Sequence, residues 1–210
     1  MSESAERLDD YVVENSMEDL GGDIRYEVID NIAYMMSASP LHEDVVADII
    51  SQLRVYLRGK PCTVYGSNLE YNWVEILSRK GIYTPGHRKP KFLPDLSVIC
   101  DKSKFAGNSY IGPPSLIVEV ASPSSFKLDM GRKKEIYEAI GVQEYWIVAY
   151  PYSVHRYILE EGKYRETLYY LLEEITSIPV HIFPGLSVEF NKNEIDKEPE
   201  SISQLPESNG

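Results

Sequence analysis

The chain has 210 residues, of which 43% are hydrophobic and 26% charged, proportions that fit one globular domain with a core of its own. Its formal charge of −12 argues against a generic polyanion binder, and no apolar run approaches the ~20 residues that cross a bilayer. The charged start, Met1 to Tyr11, predicts no export signal, so a cytoplasmic protein with no membrane partner is expected.

The charge is unevenly placed. Residues 1–30 hold ten Asp/Glu against two Lys/Arg, residues 189–210 hold six against two, and residues 31–188 balance at seventeen of each. This divides the chain into an acidic N-terminal extension (1–23), one domain (24–190) and an acidic tail (191–210) whose Asn, Glu, Pro and Ser predict disorder.

In chain order, residues 25–36 read as two strands joined at Asp30-Asn31, a tight-turn pair. Pro40 opens a helix with Val45, Val46, Ile49, Ile50, Leu53 and Leu57 on one face, and Gly59 stops it. Cys62–Tyr65 and Leu69–Val74 read as a strand pair around Gly66-Ser67-Asn68, and residues 78–91 as a loop. The cysteines, Cys62 and Cys100, lack metal-ligand spacing and are too few for a disulfide framework, so buried free thiols are expected.

Strands follow at 94–100 and 115–120. Asp129 is expected to cap a helix that buries Ile136 and Ile140 and ends at Gly141. Glu144–Val148 is a strand leading into Val154–Leu159, and Glu160-Glu161-Gly162-Lys163 turns the chain back at Tyr164. Leu186–Phe190 is the last strand. The order predicts an α/β domain with a mixed central sheet flanked by helices.

The two central strands carry the chemistry. Leu93-Pro94-Asp95-Leu96-Ser97-Val98-Ile99 and Leu116-Ile117-Val118-Glu119-Val120-Ala121 each hold one carboxylate in an apolar run. A buried carboxylate must be paired, hydrogen-bonded or metal-bound. Two at neighbouring strand ends form a hard-oxygen site suited to Mg²⁺. A lysine from the next helix can stabilise charge on a phosphate, so phosphodiester hydrolysis is the first expectation.

Seven stretches in order carry a resemblance. They are Tyr26-Glu-Val-Ile-Asp30, Ser39-Pro40-Leu41-His42, Pro94-Asp95-Leu96-Ser97-Val98, Val118-Glu119-Val120-Ala121-Ser122-Pro123, Asp129-xxx-Lys133-xxx-Tyr137, Gly141-Val142-Gln143-Glu144-Tyr145-Trp146 and Phe183-Pro184-Gly185-Leu186. Together they span residues 24 to 190 and resemble the PD-(D/E)xK nuclease superfamily, specifically its Uma-type restriction-endonuclease branch. The resemblance implies a restriction-endonuclease-like fold and a metal-dependent DNA endonuclease. Asp95, Glu119 and the Val120 carbonyl would hold Mg²⁺ or Mn²⁺. The superfamily lysine position, two residues after the second acid, is Ala121 here, and the resemblance moves that role to Lys133. The acid the family carries after its Tyr-Trp strand is Ala149 here.

The same residues admit plainer readings. Asp95 can open a strand, and Asp129 and Lys133 can form a surface ion pair worth ~0.3–0.5 kcal/mol. His42 can line the site or sit at an exposed helix start, Ser122 can start a loop, and Tyr137 can be core. The eight tyrosines from 137 to 170 reflect strand propensity, although an exposed few could stack bases. Arg88, Lys89, Lys91, Lys102 and Lys104 bracket the Asp95 strand as DNA-contact candidates or as a solvated loop. Cutting both strands of a duplex with one site per subunit favours a homodimer. The alternative is a catalytically idle DNA-binding or assembly module on the nuclease fold.

Overall fold

A computed structural model describes residues 25–35, 38–165 and 168–190. The expected extension and acidic tail lie outside the described residues. The elements are β1 (Tyr26–Ile29), β2 (Ile32–Met35), α1 (Pro40–Leu57), β3 (Thr63–Gly66), β4 (Glu70–Tyr71), α2 (Val74–Arg79), β5 (Leu96–Ile99), β6 (Phe105–Ala106) and β7 (Ser109–Tyr110). After these come β8 (Leu116–Val120), α3 (Phe126–Leu128), a π-helical turn (Asp129–Lys133), α4 (Lys134–Ile140), β9 (Glu144–Ala149), β10 (Ser153–Glu160), β11 (Lys163–Tyr164), β12 (Leu168–Leu171), β13 (Ser177–Pro179) and β14 (Ser187–Glu189).

Local chemistry explains the boundaries. Asp30 and Asn31 take φ of 49° and 72°, the left-handed pair that a two-residue hairpin needs. At α1, the Ser39 side chain accepts the His42 amide at 3.1 Å and Pro40 occupies the first turn, where its missing N–H costs nothing. Gly141, at φ 94°, ends α4 and donates its amide to the Tyr137 and Glu138 carbonyls.

Seven strands form the main sheet in the order β11-β10-β9-β8-β5-β3, with β12 also on β10. β8 and β9 run parallel and the other pairs antiparallel, so the α/β class with a mixed sheet is as expected. β8 is buried at all five residues because both sheet faces are covered. Val118, Val120, Trp146 and Val148 face an aliphatic core with α1 and the β13–β14 hairpin. Ile117, Tyr145 and Ile147 face a second core rich in rings, with Tyr71, Trp73, Phe92, Tyr110 and Tyr137.

Three expectations are corrected. β3 pairs with β5, not with the 69–74 segment; β4 instead runs parallel to β7 in a separate small sheet. Residues from Val74 form the short helix α2, which buries Leu77. Trp73, fully buried, anchors that turn by donating its indole N–H to the Gly112 carbonyl at 2.9 Å. Finally, Cys62 and Cys100 form a disulfide rather than remaining free thiols. The register Thr63↔Ile99 sets the two cysteines opposite each other, with Cα atoms 4.0 Å apart. Among the described residues no helix is long and apolar enough to cross a membrane.

Candidate active site

The β5–β8 ladder ends at Leu96↔Val118, so Asp95 and Glu119 stand opposite each other just beyond it. The Val120 amide there points to Asp95, which accepts it on Oδ2 at 2.8 Å. In return the Asp95 amide donates to Glu119 Oε2 at 3.3 Å. Both acids are buried.

The helical segment after β8 lays a cation against this pair. Lys133 Nζ lies 2.7 Å from Glu27 Oε2, 3.1 Å from Glu119 Oε1 and 3.4 Å from Asp129 Oδ1. An ammonium has three N–H donors, and three carboxylates surround this one. Tyr137, one turn on, donates its hydroxyl to Glu119 Oε1 at 2.6 Å. His42, held at the start of α1, places Nε2 3.0 Å from Asp95 Oδ2. Asp129, Lys133 and Tyr137 are all buried, so the surface-pair reading of the first two does not hold.

Asp129 is also not a helix cap. The helical run already starts at Phe126, and the Asp129 amide bonds the Ser125 carbonyl at 3.0 Å. The side chain therefore turns inward to Lys133, within a π-helical turn of the kind frequent at functional sites. Ser122 lies outside the cluster. It is exposed, and its hydroxyl bonds Ser124 Oγ and accepts the Ser125 amide in the loop before the helix.

Glu27 is the residue that sequence reasoning missed. It is 3% exposed and comes from the β1–β2 hairpin, 106 positions before Lys133. Its Oε1 accepts the Leu93 amide at 2.8 Å, two residues before Asp95. The signal was available, since Tyr-Glu-Val-Ile is a strand with one carboxylate in an apolar run, the pattern that singled out Glu119. The hairpin is locked in place by Val28 pairing with Lys91 and by Asp30 gripping Arg132 through two hydrogen bonds of 2.5 and 2.7 Å.

The electrostatics follow from three carboxylates around one lysine, with Asp95 as a fourth acid beside Glu119, in a buried site. Burial pushes the Glu119 carboxyl well up; Lys133 opposes this, while Asp95, Asp129 and Glu27 add to it. Burial likewise raises Asp129, again opposed by Lys133. Burial alone would strip the proton from Lys133, but Glu119, Glu27 and Asp129 outweigh it and hold the ammonium well above its ordinary value. Burial and the Glu119 charge also keep the Tyr137 hydroxyl protonated. The hydrogen bond to Asp95 raises His42 despite partial burial.

This excess of negative charge suits a hard cation. Among the described residues no three His, Cys, Asp or Glu side chains form a cluster that would chelate a metal unaided, because Lys133 occupies the centre of the acids. A hard cation held by only one or two carboxylates would keep several of its waters.

The basic candidates divide. Lys91 Nζ sits 4.2 Å from the Tyr26 ring centre beside the hairpin, and the Arg88 amide donates to Asn31 Oδ1. Lys89 is exposed, 4.0 Å from Glu70. Lys102 and Lys104 lie past the opposite end of β5 from Asp95. The strand thus separates them from the acids, and the five do not form one patch.

Comparison with known proteins gives the family and the fold. The family model Uma2, described as "Putative restriction endonuclease", matches residues 13–191. Uncharacterized protein slr1290 of Synechocystis sp. (strain PCC 6803) is 30% identical over 114 residues, 54% of each chain. The chain thus spans about half the length of that curated relative. A crystal structure described as a putative nuclease belonging to DUF820, from Anabaena variabilis, superposes with a TM-score of 0.60. It covers 80% of this chain and 88% of its own at 15% identity, a likeness of fold.

Proposed function

We propose that this chain, which belongs to the Uma2 family, is a divalent-metal-dependent endonuclease that hydrolyses DNA phosphodiester bonds. One observation carries the reading: two carboxylates face each other from adjacent buried strands, beside a buried lysine that stays charged. Asp95, Glu119 and the Val120 carbonyl would hold Mg²⁺ or Mn²⁺. Such an ion, once bound, polarises the phosphate and acidifies a coordinated water.

The protein's own groups divide the remaining work. His42 fixes the Asp95 carboxylate and Tyr137 fixes Glu119, so neither acid must be ordered as the substrate arrives. Glu27 and Asp129 hold Lys133 charged. It therefore acts as a donor that orients water and neutralises the pentacovalent phosphorane, not as a base. Lys91, Arg88 and Lys89 flank this end of the sheet and are suited to the DNA backbone. One site per chain calls for a two-fold pair of copies if both strands of a duplex are cut, and the reading places the enzyme in the cytoplasm with DNA.

Calorimetric Mn²⁺ titration and plasmid cleavage test the proposal. Wild type is expected to bind Mn²⁺ and nick or cut DNA, and Asp95→Ala to lose both while staying folded. Absence of Mn²⁺ binding and of cleavage would overturn it in favour of an idle binding or assembly module.

A further inference from the structure

Strand register extends the candidate site sideways across the sheet. Glu119 pairs with Ile147, Ile147 with His155, and His155 with Tyr169. Residues paired in register point to the same face, so Asp95, Glu119, Ile147, His155 and Tyr169 form one row over five strands. With strands ~4.8 Å apart, Tyr169 stands about 14 Å from Glu119, a few nucleotides along a strand.

The far end of this row is aromatic and open. Of the eight tyrosines from 137 to 170, Tyr137, Tyr145 and Tyr157 are buried, whereas Tyr169 is 54% exposed. Its ring lies 4.8 Å from that of His155, which contacts Phe126 at 5.5 Å edge-on. Phe126 begins the helical segment that delivers Lys133, so the aromatic group and the cation are mounted on one element. Lys127 beside it is exposed and among the described residues makes no ion pair. Burial holds His155 neutral-leaning, below the ordinary imidazole range, so the platform is a ring surface flanked by one cation.

Resting on the nuclease reading, we propose that the open end of this row, Tyr169 with His155, is a platform for an unpaired DNA strand, which reaches the acids over the outside of the domain because Ile147 between them is fully buried. A base stacks on Tyr169 and His155, Lys127 meets the backbone, and the phosphodiester a few nucleotides away lies over Asp95 and Glu119. In a duplex both faces of each base are covered by neighbours, so an exposed ring has nothing to stack on. The body of the domain, with seventeen charges of each sign over residues 31–188, also offers no cationic excess of the kind duplex binding draws on, which leaves stacking a larger share. On such a substrate a single copy of the chain suffices for each cut.

The test is fluorescence anisotropy with labelled oligo-dT and a duplex of matched length, using the full chain in EDTA so that nothing is cut. Wild type is expected to prefer oligo-dT. Tyr169→Ala should weaken that binding roughly five- to a hundredfold, leave the duplex unchanged, and raise KM more than it lowers kcat on a single strand in Mn²⁺. Tyr169→Phe keeps the ring and should restore the affinity. A 5-iodouracil strand should crosslink to Tyr169 in wild type, a readout independent of any variant's folding. Preference for the duplex, equal oligo-dT affinity in Tyr169→Ala, or crosslinking elsewhere would overturn the platform, and equal binding of oligo-rU would overturn its assignment to DNA. Because binding is read without metal, stacking that survives in a protein without cleavage would sink the nuclease reading and leave the platform standing.

Discussion

Two glutamates, Glu119 in β8 and Glu144 in β9, sit in neighbouring parallel strands and are both buried, at 2% and 0% exposure. Their surroundings differ completely. Glu144 is saturated by neutral donors: the Trp146 indole at 2.7 Å, the His181 amide at 3.0 Å and the Ile182 amide at 2.9 Å. It pins the loop between β13 and β14 against the aliphatic face. Glu119, on the ring-rich face, shares Lys133 with two other acids and faces a fourth. One glutamate is held by three neutral hydrogen-bond donors. The other sits in a surplus of like charge that the fold leaves uncompensated. A buried carboxylate alone therefore marks nothing; the company it keeps separates scaffold from candidate site.

The sharpest way to break this contrast is to neutralise each glutamate. Glu119→Gln and Asp95→Ala should each lower Mn²⁺-dependent DNA cleavage by orders of magnitude, measured on single-stranded DNA and on supercoiled plasmid. Glu119→Gln should nonetheless be at least as stable as wild type near neutral pH in EDTA. Burial and the surrounding acids raise the Glu119 carboxyl above its unfolded value. Its contribution to stability is thus present at low pH and lost as pH rises through that raised value, and Gln removes the loss. A cleaving Gln variant, or one that unfolds, would erase the distinction between the two glutamates.

Lys133→Met comes next. Removing a charge aimed at the reacting phosphate should cost about 3–4 kcal/mol of transition-state stabilisation, seen as a drop of hundreds of fold in single-turnover rate. Mn²⁺ binding should persist, because the acids remain. Loss of metal binding instead would mean that the lysine shapes the site rather than acting in the reaction.

For the scaffold glutamate the expected readouts reverse. Glu144→Ala leaves two amides and an indole N–H unpaired and should cost about 3 kcal/mol in urea unfolding, with the cleavage rate per folded molecule unchanged. The smallest effect belongs to Tyr137→Phe. It deletes one hydrogen bond to Glu119 and should cost about 1–2 kcal/mol in stability or a few-fold in rate. A larger loss of rate would promote Tyr137 from holding Glu119 to contacting the reacting groups.

Much of this was readable in the chain. The Asp30-Asn31 turn, the Ser39-Pro40 helix start, the stop at Gly141 and the apolar strands around Asp95 and Glu119 depend on neighbours within four residues, which the sequence carries explicitly. Asp95, Glu119, Lys133, Tyr137 and His42 could be named from those strands and from the ordered motifs. Asp129 belongs to those motifs too, and Glu27 carries the same signal of a carboxylate in an apolar strand, but that both close on Lys133 inside the domain could not be read from the chain. Glu27 is a distant hairpin residue whose place depends on Asp30 gripping Arg132 and on Val28 meeting Lys91. Asp129 looks like a helix cap until the helical turn before it claims its amide.

What the sequence alone determined, then, is where the principal strands and helices lie, α2 excepted, and that β5 and β8 are each accompanied by a buried carboxylate. Tertiary structure alone decided who faces whom: β3 beside β5, Cys62 opposite Cys100, Asp95 opposite Glu119, and Tyr169 at the end of the same row. The reason is that cross-strand register is set by packing two faces at once between segments dozens of residues apart, and a one-residue slip would turn every side chain to the other face.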